Sequence, residues 1–162
     1  MHIINMKISI LTIGKTSEGF VKTGIEEYQR RLKYYLPMEI MAIPDIKDRK
    51  NLSIHQIMEN ETKLLLNHLP KAAYIILLDD KGREFNSMEF SSLLSKQIQA
   101  GTKELVFIIG GAYGVTDNMR HQVNLTLSLS LMTFTHQFIR LILIEQIYRA
   151  MTILNCHPYH NP

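Results

Sequence analysis

The residues of this chain that could carry out acid–base chemistry lie near its C-terminal end. His136 and Arg140 are four residues apart, so on a helix they would share one face, and Tyr159 and His160 stand close to the last residue. An imidazole titrates near neutral pH and can take up a proton. A guanidinium stays charged and can stabilise a developing negative charge or position a phosphate. These four side chains are the candidates for catalysis.

A glycine-rich turn, Gly110-Gly111-Ala112-Tyr113-Gly114, follows the apolar run of residues 104–109. Glycine after a buried strand permits a positive φ and lets a ligand approach the backbone closely. The spacing is not the dinucleotide-binding pattern G-x-G-x-x-G, and no Gly-Lys-Ser/Thr of a phosphate-binding loop follows. The turn therefore indicates either a ligand site or a tight turn needed only for packing.

Charges are rare in the last third of the chain, where residues 104–162 hold three basic and three acidic side chains. Glu145 and Arg149 are two of them, and the acid precedes the base by four residues, which is the favourable order on a helix. We interpret them as a structural ion pair, within the chain or across a dimer. The alternating leucines and serines of residues 127–131, taken alone, predict a half-buried strand.

Strand and helix signals alternate along the chain. Ser53 with Gln56, and Asn86 with Glu89, are capping boxes that mark two helix starts. The alternation predicts an α/β fold with a mostly parallel sheet flanked by helices, in one domain spanning residues 1–162. Residues 1–5 are either an N-terminal extension or precede a natural start at Met6. The predicted strands are residues 7–13, 38–43, 73–79, 104–109 and 126–131, and the predicted helices are residues 17–36, 53–70, 86–99, 116–123 and 136–154.

Composition predicts a folded cytoplasmic protein, with 46% apolar and 20% charged residues. The apolar runs, among them residues 141–144, are all too short to span a bilayer, and no secretory signal is visible. Cys156 is the only cysteine, which suits a reducing compartment. Cys156, His157 and His160 are too closely spaced for a zinc site, so we expect no metal.

The basic residues are concentrated near the N-terminus, where nine of the eighteen lysines and arginines fall within the first fifty residues. Arg30, Arg31 and Lys33 stand among three tyrosines, Tyr28, Tyr34 and Tyr35. Basic side chains can neutralise phosphates and tyrosines can stack on unpaired bases, so the segment is typical of an RNA contact. A solvated helix face is the other interpretation.

Four strings together resemble the SPOUT-superfamily methyltransferases: IGGAYG, LSLSLMTFTHQ, EQIYRA and PYH, in this order and at these separations. Within that superfamily they resemble small bacterial enzymes that methylate N3 of pseudouridine-1915 in 23S ribosomal RNA. The resemblance covers nearly the whole chain. It implies a C-terminal trefoil knot, S-adenosyl-L-methionine as cofactor, 23S rRNA within the 70S ribosome as partner, and a homodimer.

The resemblance also implies the site residues. The cofactor would contact Leu78, Gly110 and the backbone of Leu129, Ser130, Leu131, Met132, Thr133 and Phe134. For the base that removes the imide proton, His160 is the first candidate, and Tyr159 and His136 are weaker ones. Arg140 would stabilise charge or position a phosphate.

The last predicted helix is apolar nearly all round, which indicates burial both in the core and at a two-fold interface. The chemistry of the residues leaves two other function classes open. One is a non-catalytic module that binds RNA or the ribosome, and the other is a Rossmann-type enzyme that grips a nucleotide at residues 110–114. The retained ligand would distinguish them.

Overall fold

The structure is a computed structural model that describes residues 5–161. Residues 1–4, which belong to the predicted N-terminal extension, lie outside the described residues. The described strands are β1 (Lys7–Ile13), β2 (Met38–Ile43), β3 (Tyr74–Glu84), β4 (Glu104–Ile109) and β5 (Leu125–Ser128). The helices are α1 (Gly19–Leu32), α2 (Ile54–Asn67), α3 (Ser87–Gln99), α4 (Asp117–His121) and α5 (Phe138–Leu154), with one turn of 3₁₀-helix at Arg49–Asn51.

The five strands form one sheet in the order β2-β1-β4-β3-β5, and every strand pair is parallel. The central strands β1 and β4 are almost continuously buried because helices cover both faces of the sheet. One apolar cluster joins the sheet to α1, α3 and α5, and a second joins it to α2 and α4. The predicted α/β fold with a parallel sheet is confirmed.

The chain of β5 passes very close to a loop in β3. Leu127 pairs with Leu78 and again with Arg83, so the four residues between them bulge out beside β5. A Cβ atom added at Gly82 would lie 2.6 Å from the Leu127 backbone carbonyl carbon, so only glycine fits there. This crossing brings the carboxyl ends of β3, β4 and β5 to one edge of the sheet.

Both predicted capping boxes are present, and each has its side-chain and backbone hydrogen bonds formed. The last strand differs from the prediction, since β5 ends at Ser128 and not at residue 131. The Ser128 hydroxyl donates to the Ser130 carbonyl oxygen, and the Ser130 hydroxyl accepts from the Met132 N–H. These local bonds compete with strand pairing and turn the chain. Residues 129–134 therefore form a loop.

The first helix also differs, since it ends at Leu32, four residues before the predicted end. The N–H groups of Tyr34 and Tyr35 donate to carbonyls three residues back, which tightens the last turn ahead of Pro37. The final helix α5 begins at Phe138, two residues after the predicted start. None of the helices in the described part of the chain is long and apolar enough to cross a membrane.

Candidate active site

A cavity of about 590 Å³ lies at the carboxyl ends of β3, β4 and β5. Its volume is in the range of small-molecule sites, and the edge where parallel strands end is where α/β proteins commonly bind ligands. The wall is built by the end of β3, the glycine turn after β4, the loop after β5 and the start of α5, with His55 and Met58 of α2. Of the predicted cofactor residues, Leu78, Gly110, Leu129, Ser130, Met132, Thr133 and Phe134 line it.

Leu131 is the predicted cofactor residue that does not line this cavity. Its side chain is 86% exposed, and that of Met132 beside it is 76% exposed. Two such exposed apolar side chains at the cavity mouth are unusual on the surface of an isolated soluble chain. The loop of residues 129–134 thus contributes both cavity wall and exposed apolar surface.

The glycine turn needs its glycines for different reasons. Gly114 has φ of +80°, whereas Gly110 has no positive φ, so our expectation of a positive φ at Gly110 was wrong. Gly110 is required for space, because a Cβ there would lie 2.7 Å from Val115 Cγ1 and 3.2 Å from the Gly114 carbonyl oxygen. Close approach of a ligand to the backbone, the other property predicted for Gly110, stays a prediction.

Charged residues that sequence reasoning did not select stand on the cavity rim. Arg120 Nη2 donates to Asp79 Oδ2 over 2.8 Å, and Arg120 also pairs with Asp117. Asp79 and Asp80 line the cavity directly after the buried part of β3. Their position at the carboxyl end of a parallel strand was the available signal, since ligands are bound at that edge.

His136 and Arg140, predicted to share a helix face, have different surroundings. His136 lines the cavity, and burial together with the nearby Arg140 charge lowers the pKa of its imidazole. The ring is therefore neutral at pH 7 and can accept a proton. Arg140 is fully buried outside the cavity wall and donates to the carbonyl oxygens of Ile13, Gly14 and His136 at 2.7–3.1 Å, and to the Thr16 hydroxyl at 3.1 Å.

Tyr159 and His160 lie outside the cavity of their own chain. The Tyr159 hydroxyl donates to Glu145 Oε1 over 3.1 Å and lies 3.2 Å from the Tyr28 hydroxyl. Burial, with these two partners, raises the pKa of the Tyr159 phenol, so it stays protonated at neutral pH. Glu145 also pairs with Arg149 within the same chain, at 2.6 Å.

The basic N-terminal segment is less free than its sequence suggests. Tyr28 and Tyr35 pack against Tyr148 in the core cluster, and Arg31 pairs with Glu27 on α1. Tyr34 is 77% exposed, so it is the tyrosine of this group whose ring can stack on a base.

Comparison with known proteins identifies the family. The family model described as "Predicted SPOUT methyltransferase" matches residues 6–160. This chain belongs to the SPOUT methyltransferase family. It is 51% identical over 156 residues to the ribosomal RNA large subunit methyltransferase H of Parabacteroides distasonis, covering 96% of this chain and 99% of that protein. The protein of the same name from Porphyromonas gingivalis is 46% identical with the same coverage.

Solved structures support the same fold at low sequence identity. A probable methyltransferase from Bordetella pertussis superposes with a TM-score of 0.57 at 8% identity, covering 91% of this chain and 96% of that chain. A probable methylase family protein from Haemophilus influenzae gives a TM-score of 0.55 at 11% identity, covering 98% of this chain and 71% of that chain. This agreement is consistent with the knotted α/β fold of SPOUT methyltransferases.

Membership of this SPOUT methyltransferase family decides between the function classes left open by the sequence. The chain is a methyltransferase, so it needs a methyl donor, and the cavity has the size and apolar wall for one. The Rossmann-type alternative and the non-catalytic alternative are both set aside.

Proposed function

We propose that this chain transfers a methyl group from S-adenosylmethionine to N3 of a pseudouridine in 23S ribosomal RNA, at the position numbered 1915 by family resemblance. One observation carries the proposal. In a chain with about half its residues identical to an enzyme named for ribosomal RNA methylation, a single cavity is lined by Leu78, Gly110 and residues 129, 130 and 132–134 of the loop after β5.

The residues of the cavity fit S-adenosylmethionine. Leu78, Leu129, Met132 and Phe134 supply apolar walls for an adenine ring, and the loop after β5 offers backbone N–H and C=O groups to its polar edge. Gly110 lines the cavity, and a side chain there would collide with Val115 in the same wall. Asp79 is paired with Arg120, whereas Asp80 adds a carboxylate at the rim, which suits a ligand that carries a sulfonium and an ammonium group.

The chemistry requires removal of a proton from the N3 imide before that nitrogen can attack. The bound cofactor supplies an electrophilic methyl group on a sulfonium. The N3–CH₃ bond forms as the S–CH₃ bond breaks, and the imide proton passes to the unprotonated ring nitrogen of a histidine. In one chain, His136 is the histidine that both lines the cavity and has a lowered pKa. Holding nitrogen, methyl and sulfur in line would supply much of the rate.

We propose that the active enzyme is a homodimer. Phe20, Leu131 and Met132 are exposed apolar residues, and Ile142 on α5 is only half-buried in the single chain. A two-fold mate would cover such a patch with the same patch. His160 as a base, and Tyr159 as an RNA contact, can then act only at the cavity of the partner subunit, because the raised pKa of the Tyr159 phenol disfavours it as a base. His160 stays the first candidate under that arrangement, and Arg140 acts through the backbone it holds.

The proposed substrate is 23S rRNA, presented within the 70S ribosome in the cytoplasm. Lys33 and Tyr34 are exposed at the end of α1 and can contact phosphate and base. The reaction needs neither a membrane nor a metal ion.

Two experiments test the proposal. Calorimetric titration of the protein with S-adenosylmethionine should give one site per chain. Mass mapping of ribosomal RNA from cells that lack the protein should show one methyl lost from a pseudouridine of 23S rRNA, restored by the intact gene. A methylation pattern unchanged by the deletion would refute the proposed substrate.

A further inference from the structure

A buried carboxyl group lies directly behind the glycine turn. Glu61 of α2 is 1% exposed, and neither of its carboxylate oxygens has a hydrogen bond of good geometry among the described residues. Buried carboxylates are rare unless they are paired, because burial removes their hydration. Helix α2 would be more stable here with an apolar side chain. The retained acid therefore calls for a functional explanation.

The carboxylate of Glu61 contacts the glycine turn closely. A Cβ atom added at Gly111 would lie 2.3 Å from Glu61 Oε2, so any side chain there would displace the Glu61 carboxylate. The Gly111 backbone N–H is directed at the carboxylate and opposes the increase in the Glu61 pKa that burial causes. Residues 110–114 of the same turn line the cavity, whereas Glu61 does not. Glu61 thus contacts the turn from outside the cavity wall.

Further contacts lie around Glu61 and the glycine turn. Arg49 Nη2 lies 3.6 Å from Glu61 Oε1, and the same guanidinium lies over the Tyr113 ring, 5.8 Å from its centre. Asp45 is the other charged group that acts on the Glu61 carboxyl. At the far end of the turn, the Thr62 and Thr116 hydroxyls are 3.2 Å apart. Helix α2 therefore contacts the turn at Gly111 and the chain just after the turn at Thr116.

We propose that Glu61 is a positioning residue for the methyl donor: its carboxylate fixes the Gly111 peptide, and with it the Gly110–Gly111 wall of the cavity, before the ligand arrives. The inference rests on the proposed function, because the ligand is taken to be S-adenosylmethionine. Glu61 does not touch the reacting atoms. It lowers the cost of binding, since a turn that is already ordered loses less freedom when the ligand binds.

The first test compares Glu61→Gln and Glu61→Met with the wild type by calorimetric titration with S-adenosylmethionine and S-adenosylhomocysteine. We expect Glu61→Met to bind both ligands about tenfold or more weakly, because the carboxylate contact with Gly111 is lost and the turn must then be ordered when the ligand binds. Glu61→Gln keeps one acceptor oxygen and should fall between. Glu59→Gln is the matched control, since Glu59 is exposed on the same helix, and it should bind as the wild type does.

The second test uses the ligand-free protein, so it does not depend on activity. Hydrogen exchange of residues 107–116 should be faster in Glu61→Met than in the wild type, while the helical amides of α2 stay equally protected. Thermal stability at pH 7 should not fall, because the variant removes a buried, poorly paired charge. A lower melting temperature with unchanged ligand affinity would show that Glu61 serves only the fold and would overturn the inference.

The outcomes separate this inference from the proposed function. If the wild type binds no S-adenosylmethionine, the proposed function fails. If the wild type binds it and Glu61→Met binds it equally well, the inference alone fails. A loss confined to S-adenosylmethionine, with S-adenosylhomocysteine unaffected, would mean that the carboxylate acts by its charge on the sulfonium, and positioning would then be wrong.

Discussion

The two ends of α5 have different kinds of surroundings. At its start, Ile139 lines the cavity together with the glycine turn and the irregular loop after β5. Towards its end, Glu145, Arg149 and Tyr159 form a compact side-chain network that docks the C-terminal tail onto the helix. The first region is open to a small molecule, whereas the second is closed by its own hydrogen bonds.

This difference explains why the candidate catalytic residues of the tail do not reach the cavity of their own chain. The cavity can bind a ligand without the tail, because Tyr159 and His160 are absent from its wall. Specific contacts nevertheless order the tail, whereas the last residues of a chain are usually poorly ordered. We therefore expect cofactor binding and methyl transfer to be separable by mutation, with the cavity controlling the first and the tail the second.

Gly110→Val should break the cavity region with the largest effect. The added side chain overlaps Val115. Because the Val115 methyl group can shift, the protein should still fold. We expect S-adenosylmethionine binding to be lost. Calorimetry on the folded variant checks this. Gly19→Val is the matched control, because a Cβ at Gly19 has open space around it, and it should bind normally. Wild-type affinity in Gly110→Val would place the cofactor elsewhere.

Deletion of residues 159–162 should break the tail region alone. We expect methyl transfer to be abolished and S-adenosylmethionine affinity to change by no more than a few-fold, since the cavity wall is intact. A methyl-transfer assay on ribosomes and a titration measure the two effects separately. Tyr159→Phe is the companion variant, because it keeps the ring packed on Tyr148 and removes only the hydroxyl. Normal turnover in the deletion would show that the tail has a structural role only.

Much of the sheet and several helix boundaries could be predicted because local signals determine them. The strands at residues 7–13, 38–43 and 104–109 are continuous apolar or alternating runs, and the two capping boxes placed helix starts by their own hydrogen bonds. The prediction of β5 was wrong at its C-terminal end. Leucine and serine alternate through residue 131, yet serine side chains bond to the backbone and end the strand at Ser128.

The site was only partly predictable from the residues. Backbone sites carry no side-chain signature, so Leu78 and residues 129–134 came from the family resemblance and not from chemistry. The buried position of Arg140 depends on carbonyl oxygens at the end of β1, more than 120 residues earlier in the chain, which no local pattern reveals. Glu61 was missed for the same reason, since its contact with Gly111 joins two distant segments.

Ile142→Glu tests whether the cavity of one subunit and the C-terminal tail of its partner meet across a dimer. Light scattering should report about twice 18.8 kDa for the wild type and a monomer or aggregate for the variant, with activity lost. The reason is the half-buried position of Ile142 on α5, where a carboxylate would face an apolar partner surface. Met88→Glu, at an exposed methionine on α3, should remain dimeric and active. A fully active monomer would contradict the interface.

Arg140→Met should reduce stability and leave the chemistry largely intact in the molecules that stay folded. The substitution removes four donor contacts, two of them to buried carbonyl oxygens, so we expect a loss of about 3 kcal/mol in the free energy of unfolding. Urea denaturation measures it. If stability is unchanged and turnover collapses, Arg140 has a direct catalytic role.

The pH dependence of activity gives the smallest effect and distinguishes the two candidate bases. A base must be unprotonated, so activity falls as pH falls through its pKa. Burial and the Arg140 and Arg49 charges lower the pKa of His136, and Asp45 opposes them only in part. If His136 is the base, the acid limb of kcat/KM should therefore lie below the ordinary histidine value of 6.5. His136→Gln should remove that limb, while His68→Gln, at an exposed histidine outside this cavity, should leave it in place. A limb that survives in His136→Gln and disappears in His160→Gln would assign the proton transfer to the tail, and the two regions would then have to meet between subunits.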